Sequence, residues 1–181
     1  MMLKQAPHAV LILGLLGGTL SAAQMPAGMT HEEHQKQMAK DAELARRGTD
    51  AMGFDQAVTT HHFILAADGG SIQVTVKNAS DTTNLEAIRT HLKEIAGQFA
   101  AGDFEKPLMT HGETPDGAAG MTARKASIAY AFESLPTGGR VRIRTKDAEA
   151  LDAVHKFLQY QIREHKTGDP LILPKGDHRI H

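Results

Sequence analysis

Two stretches of the chain show the same alternation of apolar and polar residues, each followed by a helical apolar period. The run that starts at Gly69 alternates as a strand with one buried face does, and the same residue types return from Gly138. After each run, apolar residues recur at helical spacing until Gly102 and Gly168. These positions are Leu85, Ile88, Leu92, Ile95 and Phe99 in the first copy and Leu151, Val154, Leu158 and Ile162 in the second. The pattern indicates an internal duplication of a hairpin–helix unit.

Each copy begins with one more β-rich run, at residues 59–65 and 127–132, joined to the alternating run by a glycine-containing turn. A hairpin alone is marginally stable and each helix has one apolar side, so the two copies are expected to pack together. The predicted fold is therefore α+β: a duplicated β-hairpin–α unit giving a four-stranded antiparallel sheet with two helices on one face, preceded by an N-terminal helical arm. The pattern leaves the strand order open.

The N-terminal arm is predicted from a capping-box pattern at Thr30. The mostly polar helix that follows is expected to run to about Arg47, where Gly48 ends it. The next segment is predicted to be a loop. Its two large apolar residues, Met52 and Phe54, are expected to hold the arm against the domain.

The first 23 residues have the pattern of a secretory signal peptide: a positive charge at Lys4, an apolar run and small residues before a cleavage site after Ala23. We therefore expect a periplasmic or secreted protein whose mature chain has no membrane span. The predicted organisation is a signal peptide at 1–23, a Met- and His-bearing linker with a polar helix at 24–58, the duplicated domain at 59–170 and a tail at 171–181. Within the domain, unit one covers residues 59–103, an insert covers 104–126 and unit two covers 127–170.

Composition narrows the chemistry that the chain can support. It has no cysteine, which excludes disulfides, thiolate metal sites and a cysteine nucleophile. Its net charge of -1 gives no general attraction to nucleic acid, so no nucleic-acid partner is expected. Eleven histidines and eight methionines are many for 181 residues. Imidazole and thioether ligands suit copper, above all Cu(I) in an oxidising compartment, and zinc is the other metal considered.

The candidate metal site draws on several predicted elements. His61 and His62 adjoin in the first strand, where alternation places His61 on the core side and His62 on the open face. His91 lies at the margin of the apolar stripe of the first repeat helix, and His111 lies in the insert. Less favoured ligands and a second cluster on the arm complete the set: Met109 and Met121 in the insert, and Met29, His31, His34 and Met38 near the start of the arm.

Other interpretations of the same residues stay open. His91, His155 and His165 are each also explained as a hydrogen-bonded residue at the core margin, and the arm as a solvated helix whose His and Met are incidental. The insert is also explained as a surface connection with Met109 and Met121 as apolar plugs. A second functional hypothesis is a non-catalytic protein-interaction or homodimerising module that acts through the open sheet face, which carries Arg140, Arg142 and Arg144. The sequence has no nucleophile motif, phosphate loop or zinc-hydrolase helix, which disfavours an enzyme without excluding a histidine acid–base site.

Four short segments add a resemblance that covers residues 47–170. They read MGFDQ at 52–56, TTHHF at 59–63, IRxHL at 88–92 and QIxxHxTGD at 161–169. Together they resemble an uncharacterised family of small exported bacterial proteins. The resemblance implies export and a single domain, and it brings no established activity to these residues.

Overall fold

The computed structural model describes residues 30–173, with the side chain of Ala45 excepted. The helices and strands are α1 (His31–Met52), β1 (Thr59–Ala66), β2 (Gly69–Val76), α2 (Thr82–Ala101), α3 (Glu105–His111), α4 (Ala118–Ala123), β3 (Ile128–Leu135), β4 (Gly138–Thr145) and α5 (Ala148–His165). They form a four-stranded antiparallel sheet with helices packed against it, so the predicted α+β fold is confirmed. Among the helices of the described residues, none combines the length and apolarity that crossing a membrane requires.

The sheet has the order β1-β2-β4-β3, so the second strands of the two units pair at its centre. Ile72 of the first unit lies opposite Val141 of the second, and these residues occupy equivalent positions of the repeat. The pseudo-twofold axis that the duplication implies therefore passes between them. The same row continues outward to Phe63 and Phe132, and it faces the helices, since Phe63 and Ile72 are buried.

The two repeat helices each cross to the other unit. α2, from the first unit, packs on β3 and β4, whereas α5, from the second, packs mainly on β1 and β2. The second glycine of each Gly-Gly pair makes this approach possible. A Cβ at Gly70 would run into Leu158 of α5, and one at Gly139 would lie 3.1 Å from Leu92 of α2. The repeated glycines therefore provide room for the partner unit's helix, in addition to shaping the hairpins.

The arm is longer than predicted. The capping box at Thr30 is confirmed, but α1 continues through Gly48 to Met52 and ends at Gly53, whose φ is 74°. A glycine inside a helix costs about 1 kcal/mol relative to alanine. At this position the missing side chain leaves room for Gln56 and Met52, which a Cβ would meet. Packing at the domain surface thus explains why Gly48 does not end the helix.

The insert contains two short helices, α3 and α4, with the three-residue 3-10 turn Lys125–Ser127 after them. Its ends are anchored in the core, where Phe104 stacks on Phe99 at 4.3 Å between ring centroids. The predicted signal peptide, Met29 and the end of the tail lie outside the described residues.

Candidate functional site

Four histidines from four elements gather on the core side of the sheet, beneath the C-terminal end of α1. His61 comes from β1, His91 from α2, His111 from α3 and His165 from the last turn of α5. The ring of His165 lies 5.6 Å from that of His61 and 5.1 Å from that of His111, between centroids. Phe54 links the fourth member, since its ring lies 5.7 Å from His61 and 5.5 Å from His91. We call these four residues the histidine cluster.

All four imidazoles of the histidine cluster are held in the neutral form. Burial lowers the pKa of His61 and of His91 to about 4, and that of His165 to about 3. Burial also lowers the pKa of His111, although the hydrogen bond to Gln161 acts in the opposite direction. Neutral imidazole carries a free lone pair on one ring nitrogen and is the form that ligates metal ions.

Three ring nitrogens of the cluster are buried without a hydrogen-bond partner. They are Nε2 of His61, Nδ1 of His91 and Nδ1 of His111. An unsatisfied buried polar atom costs about 1–3 kcal/mol, and native proteins keep few of them. The fold thus leaves three polar atoms of the histidine cluster without a hydrogen-bond partner.

The tautomer of His111 is set by its neighbour on α5. His111 Nε2 lies 2.9 Å from Gln161 Oε1. With the amide in this orientation, Nε2 donates its hydrogen to the carbonyl oxygen and Nδ1 keeps the lone pair, while Gln161 Nε2 is buried without a partner. An N–H donated to a fixed oxygen is the arrangement that orients histidine ligands in metal sites.

The cluster borders a cavity of about 50 Å³ whose walls are mostly apolar. His91, His111 and His165 lie on its wall, as do Phe99 and Phe157. The end of α1 closes the cavity, where Met52 adds a thioether to the lining. Arg47 of the same helix donates to the backbone oxygen of His111 at 3.5 Å, which ties the arm to the insert.

His62 lies on the opposite face of the sheet from the cluster. Its Nδ1 is 2.9 Å from Asp169 Oδ1, and the other carboxylate oxygen of Asp169 accepts the backbone N–H of Phe63 at 2.9 Å. Burial works against ionisation of Asp169, but hydrogen bonds from Thr167, Phe63 and His62 outweigh it and hold the pKa below its usual value. Asp169 thus clamps the segment that follows α5 to β1, directly beside His61 and His165.

The remaining predicted ligands lie away from the cluster or on the surface. Met109 is 58% exposed on α3, while Met121 is fully buried on α4, as the interpretation as an apolar plug expects. His31 and Met38 are exposed on α1, and His34 is half-buried there. Their proposed partner Met29 lies outside the described residues, so the arm cluster stays a prediction.

The arginines of the open sheet face are paired within the sheet. Arg140 donates to Glu133 from Nε at 2.9 Å, and Arg144 Nε lies 3.4 Å from Asp68. Glu133 also lies 4.0 Å from Arg142. The three arginines of the open face therefore share two carboxylates, those of Glu133 and Asp68.

His165 and Gln161 are the members of the site that sequence reasoning missed. His165 was expected at the core margin, because it lies on the apolar side of its helix, where a single histidine is more often a hydrogen-bonded residue than a ligand. The signal was its repeat counterpart, Phe99, a core position that a histidine occupies in the second copy. That signal becomes informative only once α5 is known to cross onto β1.

Within residues 30–173, no three histidine or carboxylate side chains converge as a ready-made metal site. An ion that needs three or four protein ligands would therefore require the imidazoles of the cluster to rotate. Comparison of the chain with known protein families, with characterised proteins and with solved structures found no match.

Proposed function

We propose that this is an exported metal-handling protein that binds copper, with zinc as the second candidate, at the histidine cluster. The observation that carries the proposal is the set of three buried, unpartnered ring nitrogens on neutral imidazoles. A protein gains nothing in stability from such atoms, whereas a bound ion satisfies them.

The ligand atoms in this proposal are assigned from the ring nitrogens that lack hydrogen-bond partners. His111 binds through Nδ1, since its Nε2 donates to Gln161. His61 binds through Nε2 and His91 through Nδ1, the atoms that lack partners. His165 packs between His61 and His111 and completes the set. His62 is not a ligand in this arrangement, because it pairs with Asp169 on the other face.

Copper is favoured over zinc by the surroundings of the cluster. The walls of the cavity are mostly apolar, and taking a monovalent ion into such surroundings costs less than taking a divalent one. The chain has no cysteine to supply thiolates, so imidazole and thioether are its soft ligands. Export after cleavage at Ala23, into an oxidising compartment, belongs to the same proposal and rests on the signal-peptide pattern.

The repeat itself supplies the variants that test this proposal. His61→Tyr and His165→Phe install the residues that the other copy carries at the equivalent positions, Tyr130 and Phe99. Both replacements keep an aromatic ring in a site that tolerates one. The mature protein and the double variant are titrated with Cu(I) under anaerobic chelator competition and with Zn(II) by calorimetry.

We expect the mature protein to bind one equivalent of Cu(I) more tightly than about 10 μM, and the double variant to bind it about 100-fold more weakly. The matched control is His155→Arg, which installs the residue of the first copy, Arg89, at a histidine that contacts the backbone oxygens of Ala66 and Gly69. The control should keep the affinity of the unsubstituted protein. Absence of binding, or equal affinity in the double variant, would contradict the proposal.

A further inference from the structure

A groove on the protein surface shares a wall with the cavity of the histidine cluster. The groove has a volume of about 320 Å³ and opens between the end of α1, α2 and the start of α3. Met52, His91 and Lys106 line the groove and also line the inner cavity. These three side chains therefore lie between the groove and the cavity.

Met52 has a fixed position in this wall. It is the last residue of α1, and the left-handed Gly53 turns the chain directly after it. Phe54 then packs against both His61 and His91. Among the methionines of the described residues, Met52 is the one that lines the groove and the cavity at the same time, because Met38 and Met109 are exposed and Met121 is buried in α4.

The charges of the groove suit a cation that binds weakly and moves on. Asp50 and Glu94 line the groove and attract a positive ion. The ammonium of Lys106 lies 2.7 Å from Glu94, so it is paired at the mouth and opposes long residence of a divalent ion. A thioether is a poor ligand for zinc and a good one for Cu(I). The wall therefore offers one soft sulfur and one neutral imidazole to an incoming ion.

We propose that Met52 and His91 form an entry site, where a cuprous ion first binds from the groove and from which it passes to His111 and His165. The entry site rests on the proposed function, since it delivers the ion to the histidine cluster. It also assigns the oxidation state of the cargo, because a thioether at the entrance selects Cu(I) over Zn(II). No redox step is required, as the ion keeps its charge from groove to cavity.

The rate of Cu(I) uptake by Met52→Leu tests the entry site. Leucine preserves the apolar volume and removes the sulfur. The mature protein is mixed in a stopped-flow instrument with a coloured Cu(I)–bicinchoninate complex, and loss of the colour reports transfer. We expect Met52→Leu to take up Cu(I) about tenfold more slowly, with unchanged Zn(II) affinity. Met109→Leu, on the exposed face of α3, is the matched control and should behave as the unsubstituted protein does.

A second measurement detects the sulfur ligand directly. In His165→Phe the ion should stall at the entry site, so X-ray absorption of the Cu(I)-loaded variant should show copper–sulfur scattering. That scattering should vanish when Met52→Leu is added. Equal uptake rates for Met52→Leu and Met109→Leu, or no sulfur scattering in a loaded variant, would overturn the entry site alone. Failure of the unsubstituted protein to take up Cu(I) would overturn the entry site together with the proposed function.

Discussion

The two ends of the helix-covered sheet face carry different aromatic rings at the same repeat positions. At one end, His165 of α5 stacks on His61 of β1, with 5.6 Å between ring centroids. At the other end, the equivalent residues are Phe99 of α2 and Tyr130 of β3, whose rings meet edge to face at 6.0 Å. A third equivalent pair is His91 and Phe157. The backbone therefore requires a ring at each position, and the identity of the ring decides the chemistry.

The comparison of the two ends shows which of them contributes less to the stability of the domain. Rings of Phe99, Phe104 and Phe157 contact one another and bury hydrocarbon. The histidine end buries three ring nitrogens that find no partner, and at the aromatic end the hydroxyl of Tyr130 is also buried without one; each such atom costs free energy. Under the proposed function, the histidine end gives up part of this stability in order to bind an ion. The aromatic end shows the packed alternative within the same chain.

The largest expected effect comes from adding a side chain at Gly70 and Gly139, where the two repeat helices cross the sheet. Gly70→Ala should lower the free energy of unfolding by more than about 3 kcal/mol, and Gly139→Ala by about 1–3 kcal/mol. The new Cβ at Gly70 meets the backbone oxygen of Ile64 as well as a leucine side chain, whereas the one at Gly139 meets only side chains, which yield more easily. Chemical denaturation of both variants measures the difference.

Gly97→Ala is the control for the glycine variants, because a Cβ there meets nothing within 4 Å. It should stabilise α2 by up to about 1 kcal/mol. A cost near zero at both Gly70 and Gly139 would show that the helices do not approach the sheet at these residues.

The next effect is a difference between the two ends in how the free energy of unfolding depends on pH. The folded-state pKa of His61 is about 4 and that of His165 about 3, whereas histidine in an unfolded chain titrates near about 6.5. On acidification the unfolded chain binds these protons first. The contribution to stability is therefore complete above a pH of about 6.5 and is lost progressively as the pH falls toward about 4, at no more than about 1.4 kcal/mol per pH unit for each histidine.

The measurement is the free energy of unfolding of the metal-free protein between pH 7 and pH 5. The double variant His61→Tyr with His165→Phe, which copies the aromatic end, should show a flatter profile over this range. Identical slopes for the two proteins would mean that the cluster histidines titrate normally in the fold.

The smallest effect concerns the aspartate that follows each repeat helix. Asp169 clamps β1 by accepting from the backbone of Phe63, whereas its counterpart Asp103 accepts from the backbone of Glu105 at the start of α3. Asp169→Ala should lower the free energy of unfolding by about 2 kcal/mol, because it leaves buried donors without an acceptor. Asp103→Ala should cost about 0.5–1 kcal/mol, as expected for a more exposed cap. Equal costs would refute a clamp that is specific to the histidine end.

Much of the fold and part of the site could be predicted from the alternation of residue types. The placement of His61 on the core side and His62 on the open face is confirmed, because side chains alternate strictly along a strand. The prediction that α1 ends at Gly48 was wrong. The packing of this part of α1 against Gln56 and Met52 outweighs the low helix propensity of glycine. The prediction also missed α3, whose helical turn positions His111 against Gln161, although Pro107 in its first turn and Gly112 at its end are typical of helix termini.

The repeat, the buried face of each strand and helix, and the excess of histidine and methionine can all be recognised from the sequence alone. These properties depend on neighbours along the chain, which a periodic pattern records. The position of α5 over β1, and therefore the contact of His165 with His61, can be seen only in the packed domain. A periodic pattern shows which side of a helix is buried but not which strands cover it, because that choice follows from the pairing of β2 with β4 about the pseudo-twofold axis. The histidine cluster is a product of that crossing.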